Sequence, residues 1–290
     1  MIERLAWVTA RQARGQDDDE SLALTALQRY GVSVDVLDWD DPKVNWSLFD
    51  RVLLRSTWDY PQRLPEFLAW LDQVDAVSDL VNPPAMVRWN LDKKYLVELA
   101  VAGVPIIPTV FVQPGSDALF PAGDFVVKPA VGAGSRDAAS YRPDQHQTAM
   151  AHIARLHTSG QTVLVQPFLK SIATDGEWPL VFFGGHFSHA ASKRVLLPQA
   201  GFVEGLFAAE TNAEHVATPA QIDVAQAAVN LVSKRLGTPT YARVDLVRDD
   251  AGQFCVLEVE LIEPSLFLSY ADSAAMERFV AALLVTAPIQ

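Results

Sequence analysis

The run from Tyr241 to Glu260 constrains this chain more than any other. Ala242, Val244 and Leu246, then Phe254, Val256 and Val259, supply the apolar and β-branched content of two strands, and Arg248 to Gly252 supplies a polar turn between them. Side chains alternate along a strand, so Arg243 and Asp245 share one face of the first strand, and Glu258 and Glu260 share one face of the second. Pairing in register brings three carboxylates and one guanidinium to a single patch. A face that sets two glutamates among Leu257, Val259 and Leu261 calls for compensation of its charge, and hard divalent cations with oxygen ligands provide it. A solvated sheet face, with acids alternating outward, satisfies the same pattern.

The 290 residues are 50% hydrophobic, enough for one large core or two to three small ones. A net charge of -12, with 23 Lys and Arg, excludes the broad basic footprint of a nucleic-acid binder, so any polyanionic ligand must be held by a local cluster. The single cysteine, Cys255, lies mid-strand and reads as a buried thiol rather than a nucleophile, which points to a reducing compartment. No apolar run approaches the roughly 20 residues of a membrane span, and the first residues are too charged for a secretory leader. The expectation is a soluble, cytoplasmic protein without membrane or nucleic-acid partners.

Leu5 to Thr9, Val32 to Leu37 and Arg51 to Leu54 read as strands, with a helix between the first two that opens at the acids Asp17 to Glu20 and ends at Gly31. Strands alternating with helices argue for a parallel layer, whose ligands sit beyond the carboxyl ends of the strands. Arg55, Ser56 and Asp59 occupy such an end, as substrate-binding groups or as an Arg–Asp pair that closes a loop. Pro65 to Val74 reads as a helix, and Asn90 caps another from Leu91 to Ala102, stopped by Gly103 and Pro105. Lys93 and Lys94 then lie in a first turn, where the helix dipole disfavours a cation unless an anion is near.

Phe125 to Pro129 delivers Lys128 to a loop in which Gly132, Gly134 and Ser135 let backbone N–H groups approach a phosphate. Thr162 to Leu169 is a strand running into Gln166, Pro167, Phe168 and Leu169, followed by a loop with Asp175 and Glu177. Leu180 to Ser192 reads as a hairpin turning at Gly184 and Gly185 and ending at Lys193 and Arg194. His186 and His189 have no soft ligands at metal spacing and read as ordinary strand histidines. Thr218 and Pro219 open a long helix ending at Gly237, and a last amphipathic helix runs from about Ala271 to Leu284, after Glu263 to Phe267.

This order of motifs resembles the ATP-grasp superfamily, whose members include D-alanine:D-alanine ligase and glutathione synthetase. The marks are a helix lysine before Gly103-Val104-Pro105, the strand Lys128-Pro129 with its glycine loop, the Gln166-Pro167-Phe168-Leu169 hinge, Arg243-x-Asp245 and Glu258-x-Glu260. The fold class this implies is α/β: an N-terminal α/β substrate domain over 1–85, a linker helix and central ATP-lid lobe over 86–165, and a C-terminal antiparallel-sheet domain over 166–290. By the same resemblance Lys93 and Lys128 contact the ATP phosphates, Gln166 to Leu169 the adenine, and Glu177 the ribose. Asp245, Glu258 and Glu260 hold magnesium, or manganese in its place, and Arg243 stabilises the transferring phosphoryl group.

Arg55 to Tyr60, Arg88 to Asn90, Ser188 to Ala190 and Glu260 to Pro264 are similar to a group of bacterial ATP-grasp proteins that includes the cyclo-ligase closing the ring of D-cycloserine from O-ureido-D-serine. The resemblance implies an amino-acid-like substrate, with Lys193, Arg194, Glu263 and Ser265 among its contacts. Its carboxylate is activated as an acylphosphate and joined to an amine-type nucleophile of the same or a second molecule, in a monomer or a homodimer. A small-molecule kinase, or a non-catalytic nucleotide-binding module, would use the same nucleotide site. The joint presence of Arg243 and the carboxylates weighs against the pure binder, which has no transferring phosphate to stabilise.

Overall fold

The computed structural model describes residues 2–200 and 208–285, and among these three sheets organise the chain. The first contains β1 (Arg4–Thr9), β2 (Ser33–Asp38), β3 (Arg51–Ser56) and β4 (Asp79–Val81), parallel, in the order β2-β1-β3-β4. Its β1 and β3 are almost wholly buried, as expected of parallel strands covered on both faces. One face packs α2 (Leu64–Asp75) and α3 (Pro84–Leu91) around Phe67, Trp70, Leu71 and Val87. The other packs α1 (Glu20–Arg29).

The helix expected from Leu91 to Ala102 is broken. After α3 the chain bends through Asp92, Lys93 and Lys94 and resumes as α4 (Tyr95–Val101). Asn90 is therefore no cap: its amide donates to Val259 O at 2.8 Å and accepts from Leu261 N at 2.8 Å, a buried tether that fixes the bend.

The second sheet joins β5 (Val110–Val112), β6 (Phe125–Pro129), β7 (Ala139–Tyr141) and β8 (Val163–Pro167) in the order β5-β8-β6-β7, with α5 (His146–Thr158) over a small core of Phe125, Val127, Ile153 and Leu156. The division expected at 165 falls inside β8. After the short α6 (Lys170–Thr174) comes the third sheet: β9 (Trp178–Phe183), β10 (His186–Val195), β11 (Glu210–His215), β12 (Tyr241–Arg248) and β13 (Phe254–Glu260). Its order is β11-β10-β9-β12-β13, antiparallel throughout.

Against that sheet lies α7 (Pro219–Leu236), opened by Thr218, whose hydroxyl accepts from Gln221 N while the Gln221 side chain accepts from Thr218 N. Met86, Tyr95, Leu96 and Leu99 of α3 and α4 share its core. The last helix, α8 (Ala275–Leu284), returns to the first sheet, where Phe279, Val280 and Leu283 pack with Leu5, Trp7 and Leu27. Arg51 on β3 donates to the carbonyls of Leu283 and Val285. No described helix is long and apolar enough to cross a membrane.

Candidate active site

A cavity of about 510 Å³ opens where the three sheets meet, a size suited to a nucleotide or drug-sized ligand. The loops after β1 and β3 contribute Asp19, Trp58 and Tyr60, the lobe of the second sheet, where the resemblance expects a lid, contributes Lys128 and Gly132 to Arg136, and β12 and β13 contribute Arg243, Glu258 and Glu260. Ligand-facing loops beyond the carboxyl ends of parallel strands are what such a sheet provides.

The hairpin pairs as its alternation requires: Arg243 lies opposite Glu260, and Asp245 opposite Glu258. The Arg243 guanidinium donates to Asp245 through Nε at 2.7 Å and Nη2 at 3.0 Å, to Glu260 through Nη2, and to Ser265 O through Nη1 at 3.1 Å. Lys193 Nζ bridges Asp245 and Glu177, each at 2.8 Å. Lys93 Nζ lies 2.9 Å from Glu258 Oε1 and donates to Gly132 O at 3.0 Å, which ties the bend before α4 to the lid loop.

These pairs set the charges. Burial alone would raise the Asp245 carboxyl, but Arg243 and Lys193 hold it well below the usual carboxylate range. Glu258 is likewise lowered against burial, by Lys93 and Lys128. Glu260 is pushed up to about 7 by burial and by the charges of Asp245 and Glu258, against the pull of Arg243. Burial, reinforced by Glu260, pushes Glu263 up to about 8 while Tyr60 donates a hydrogen bond to it. Burial lowers Lys128, and the Lys93 charge adds to that lowering. A lysine held this way gains most from an arriving polyanion.

In the loop after β6 Gly134 and Ser135 are left-handed, with φ of 63° and 59°, and a Cβ at Gly132 would crowd Pro129 Cγ at 3.1 Å. Gln166, Pro167 and Phe168 line the cavity below, and Gln166 donates to Thr109 Oγ1 at 2.8 Å. Leu169 instead turns into a small core with Ile107, Val247 and Cys255, where burial pushes the Cys255 thiol up to about 12.

Lys93, Lys128, Glu177, Lys193, Arg243, Glu258, Glu260, Glu263 and Ser265 line one cavity with the glycine loop. Arg55, Ser56 and Asp59 do not. Arg55 is fully buried beside Asp17 and Asp19, Ser56 donates to Thr9 Oγ1 at 2.7 Å, and Asp59 accepts from Trp39 Nε1 at 2.8 Å. The side chains reaching the cavity from that segment are Trp58 and Tyr60. Arg194 also points away and donates to Ala173 O and Thr174 O. His189 serves structure, Nε2 lying 2.7 Å from Leu266 O.

Asp245 stands behind the cavity wall with both oxygens taken by Arg243 and Lys193, whereas Glu258 and Glu260 face the opening. Among the described residues no three His, Cys, Asp or Glu side chains are grouped to hold a metal ion.

Residues 5–82 match the family described as D-cycloserine synthetase DcsG, N-terminal domain. The whole chain is 40% identical over 292 residues to the cycloserine biosynthesis protein DcsG of Streptomyces lavendulae, covering 96% of this chain and 97% of that protein. The chain belongs to the DcsG family. The crystal structure of D-cycloserine synthetase DcsG has TM-score 0.87 to it at 39% identity, over 97% of this chain and 98% of that one. More distantly, the fold is that of D-alanine–D-alanine ligase from Bacillus anthracis, also solved in complex with ATP, with TM-score 0.64 at 16% identity over 97% and 95% of the two chains. This DcsG-family protein is an ATP-dependent ligase with the ATP-grasp fold.

Proposed function

We propose that this chain uses ATP to phosphorylate the carboxylate of O-ureido-D-serine and closes that molecule on itself to D-cycloserine. The observation that carries the reading is a cavity with Lys93 and Lys128 against Glu258, in a chain 40% identical end to end to S. lavendulae DcsG.

Anion must approach anion for a carboxylate to reach the γ-phosphate, so the barrier is chiefly electrostatic. Lys93 and Lys128 take the phosphates, the backbone of Gly132 to Ser135 lies over them, and the adenine enters between Val126, Ile107 and Phe168. Incoming phosphate draws Lys93 from Glu258 and releases that carboxylate. Glu258 and Glu260 suit magnesium, which keeps several waters and uses one or two carboxylates plus substrate phosphates rather than an all-protein cage. Manganese fits the same oxygens. When bound, the ion screens phosphate charge. Asp245 is then no ligand; it fixes Arg243 and Lys193, and Arg243 meets the charge that develops on the transferring group.

The nitrogen next to the side-chain oxygen attacks the acylphosphate carbonyl, phosphate leaves with one carboxylate oxygen, and the ring closes. One water takes the carbamoyl group from that nitrogen as carbamic acid, which breaks down to ammonia and carbon dioxide, and the ring nitrogen is left with one hydrogen. Attack from within the molecule needs one amino-acid pocket and no second one, and closure of the lid over the cavity shields the acylphosphate from hydrolysis. An enzyme that consumes ATP in this way works in the cytoplasm, and a monomer or a homodimer serves equally.

The test is product analysis with ATP, magnesium and O-ureido-D-serine. Equal ADP and free phosphate with a cyclised product is the expected result; a stable phosphorylated product without free phosphate identifies a kinase and overturns the reading.

A further inference from the structure

Asp19 stands at the entry to α1 in the N-terminal unit, yet its side chain serves the far end of the chain. Its Oδ2 accepts from Leu266 N at 2.5 Å and its Oδ1 from Leu268 N at 2.9 Å, so one carboxylate grips the backbone on both sides of Phe267. Phe267 is left-handed, with φ of 52°, a conformation that a residue with a β-carbon keeps only where its surroundings impose it. Arg55, fully buried, donates to Asp19 Oδ2 at 3.3 Å and lies over the Trp7 ring. Both Asp19 oxygens are thus engaged by protein groups, and although the residue borders the cavity it is only 2% exposed.

The gripped loop reaches directly into the site. Ser265 O accepts from Arg243 Nη1 at 3.1 Å, and the Phe267 ring lies 5.5 Å from the guanidinium carbon. Asp245 and Glu260 hold the other edges of the guanidinium. The Nη1 edge and the ring-covered face are set by a loop anchored from the opposite unit. If the loop relaxes, the ring withdraws, water reaches the guanidinium, and its field at a transferring phosphoryl group weakens.

We propose that Asp19 is a positioning residue for Arg243: by fixing the backbone around Phe267 it sets the Ser265 carbonyl and the Phe267 ring against the guanidinium. The N-terminal unit thereby takes part in phosphoryl transfer without supplying a reacting group. The inference rests on the role proposed above for Arg243 at the transferring phosphate.

The experiment compares the full-length wild type with Asp19→Asn, Arg243→Lys and the double variant, by ADP release with O-ureido-D-serine and by hydrogen exchange of the 264–270 backbone. Asp19→Asn keeps size but loses an acceptor, so exchange at Leu266 and Leu268 speeds up and kcat falls about 10-fold or more. KM for ATP stays within about 3-fold, the pattern of an interaction made in the transition state. In the Arg243→Lys background, itself slow, the same substitution costs less than about 2-fold, because the group it positions is already gone.

Losses that multiply in the double variant, or wild-type turnover by Asp19→Asn with faster exchange at both amides, overturn the proposal while leaving the phosphate role of Arg243 intact. Wild-type turnover by Arg243→Lys removes both. Phe267→Leu leaves the Asp19 grip in place and supplies the same cycle from the other end should Asp19→Asn not fold; a loss that persists in full beside Arg243→Lys again overturns it.

Discussion

Lys193 carries two acids in a place with little water. Its ammonium bridges Asp245 and Glu177, and their attraction raises it well above the usual lysine range although burial opposes this. Lys193→Met leaves Glu177 without a cation and Asp245 with Arg243 alone, and removing one partner of a buried pair costs about 3 kcal/mol. Urea unfolding should show that loss; an unchanged midpoint contradicts the ionic account of this wall. Glu258→Gln acts differently, because Glu258 faces the cavity and both lysines. Turnover should fall about 10²-fold or more with the circular dichroism spectrum unchanged, as for loss of a group that organises developing charge, and near-wild-type turnover would remove Glu258 from the phosphate site. Both acids were legible as alternating positions on two strands. The engagement of Asp245 was not, since its second cation, Lys193, comes from β10, 52 positions away.

At the scale of elements, what the sequence reveals depends on how locally each element is determined. The β12–β13 hairpin is set by alternation and a polar turn, and α7 by its cap and proline, so both stand where expected. The break between α3 and α4 comes from Asn90 bonding to Val259 of β13 and to Leu261 just beyond it, 169 and 171 positions away, which no periodicity contains. The loop after β3 shows the same limit: alternation continues past the strand without telling that Trp58 and Tyr60, rather than Arg55 and Asp59, face the cavity. In the sequence Asp19 shows only as part of the acidic start of a helix, because the backbone amides it accepts from lie 247 and 249 positions away.

The lid has a pH dependence of its own. Burial, with Arg155 adding to it, lowers His152 on α5 to about 4, with Nδ1 2.9 Å from Tyr141 Oη on β7. The folded lid keeps the imidazole neutral while an unfolded chain takes a proton near pH 6.5, so the stability it contributes is full above that pH and drains as pH falls toward 4. Relative to the intrinsic rate at each pH, hydrogen-exchange protection over 146–158 should fall across that window in the wild type, and less in His152→Asn. An equal fall in both contradicts the assignment.

At the scale of the whole molecule, the units are interlocked rather than strung in series. The last helix completes the core of the first sheet, Tyr241 Oη donates to Ile262 O at 2.7 Å and lies 3.2 Å from Leu54 O, and Lys93 reaches the lid loop and the hairpin at once. The cavity exists because these units meet, and the account holds that ATP activates a substrate carboxylate inside it. Substrate labelled with oxygen-18 in both carboxylate oxygens tests this most directly. If the carboxylate attacks the γ-phosphate, each phosphate released on ring closure carries one oxygen-18 atom; phosphate free of label would mean that water, not the carboxylate, receives the phosphoryl group, and would contradict the account at its centre.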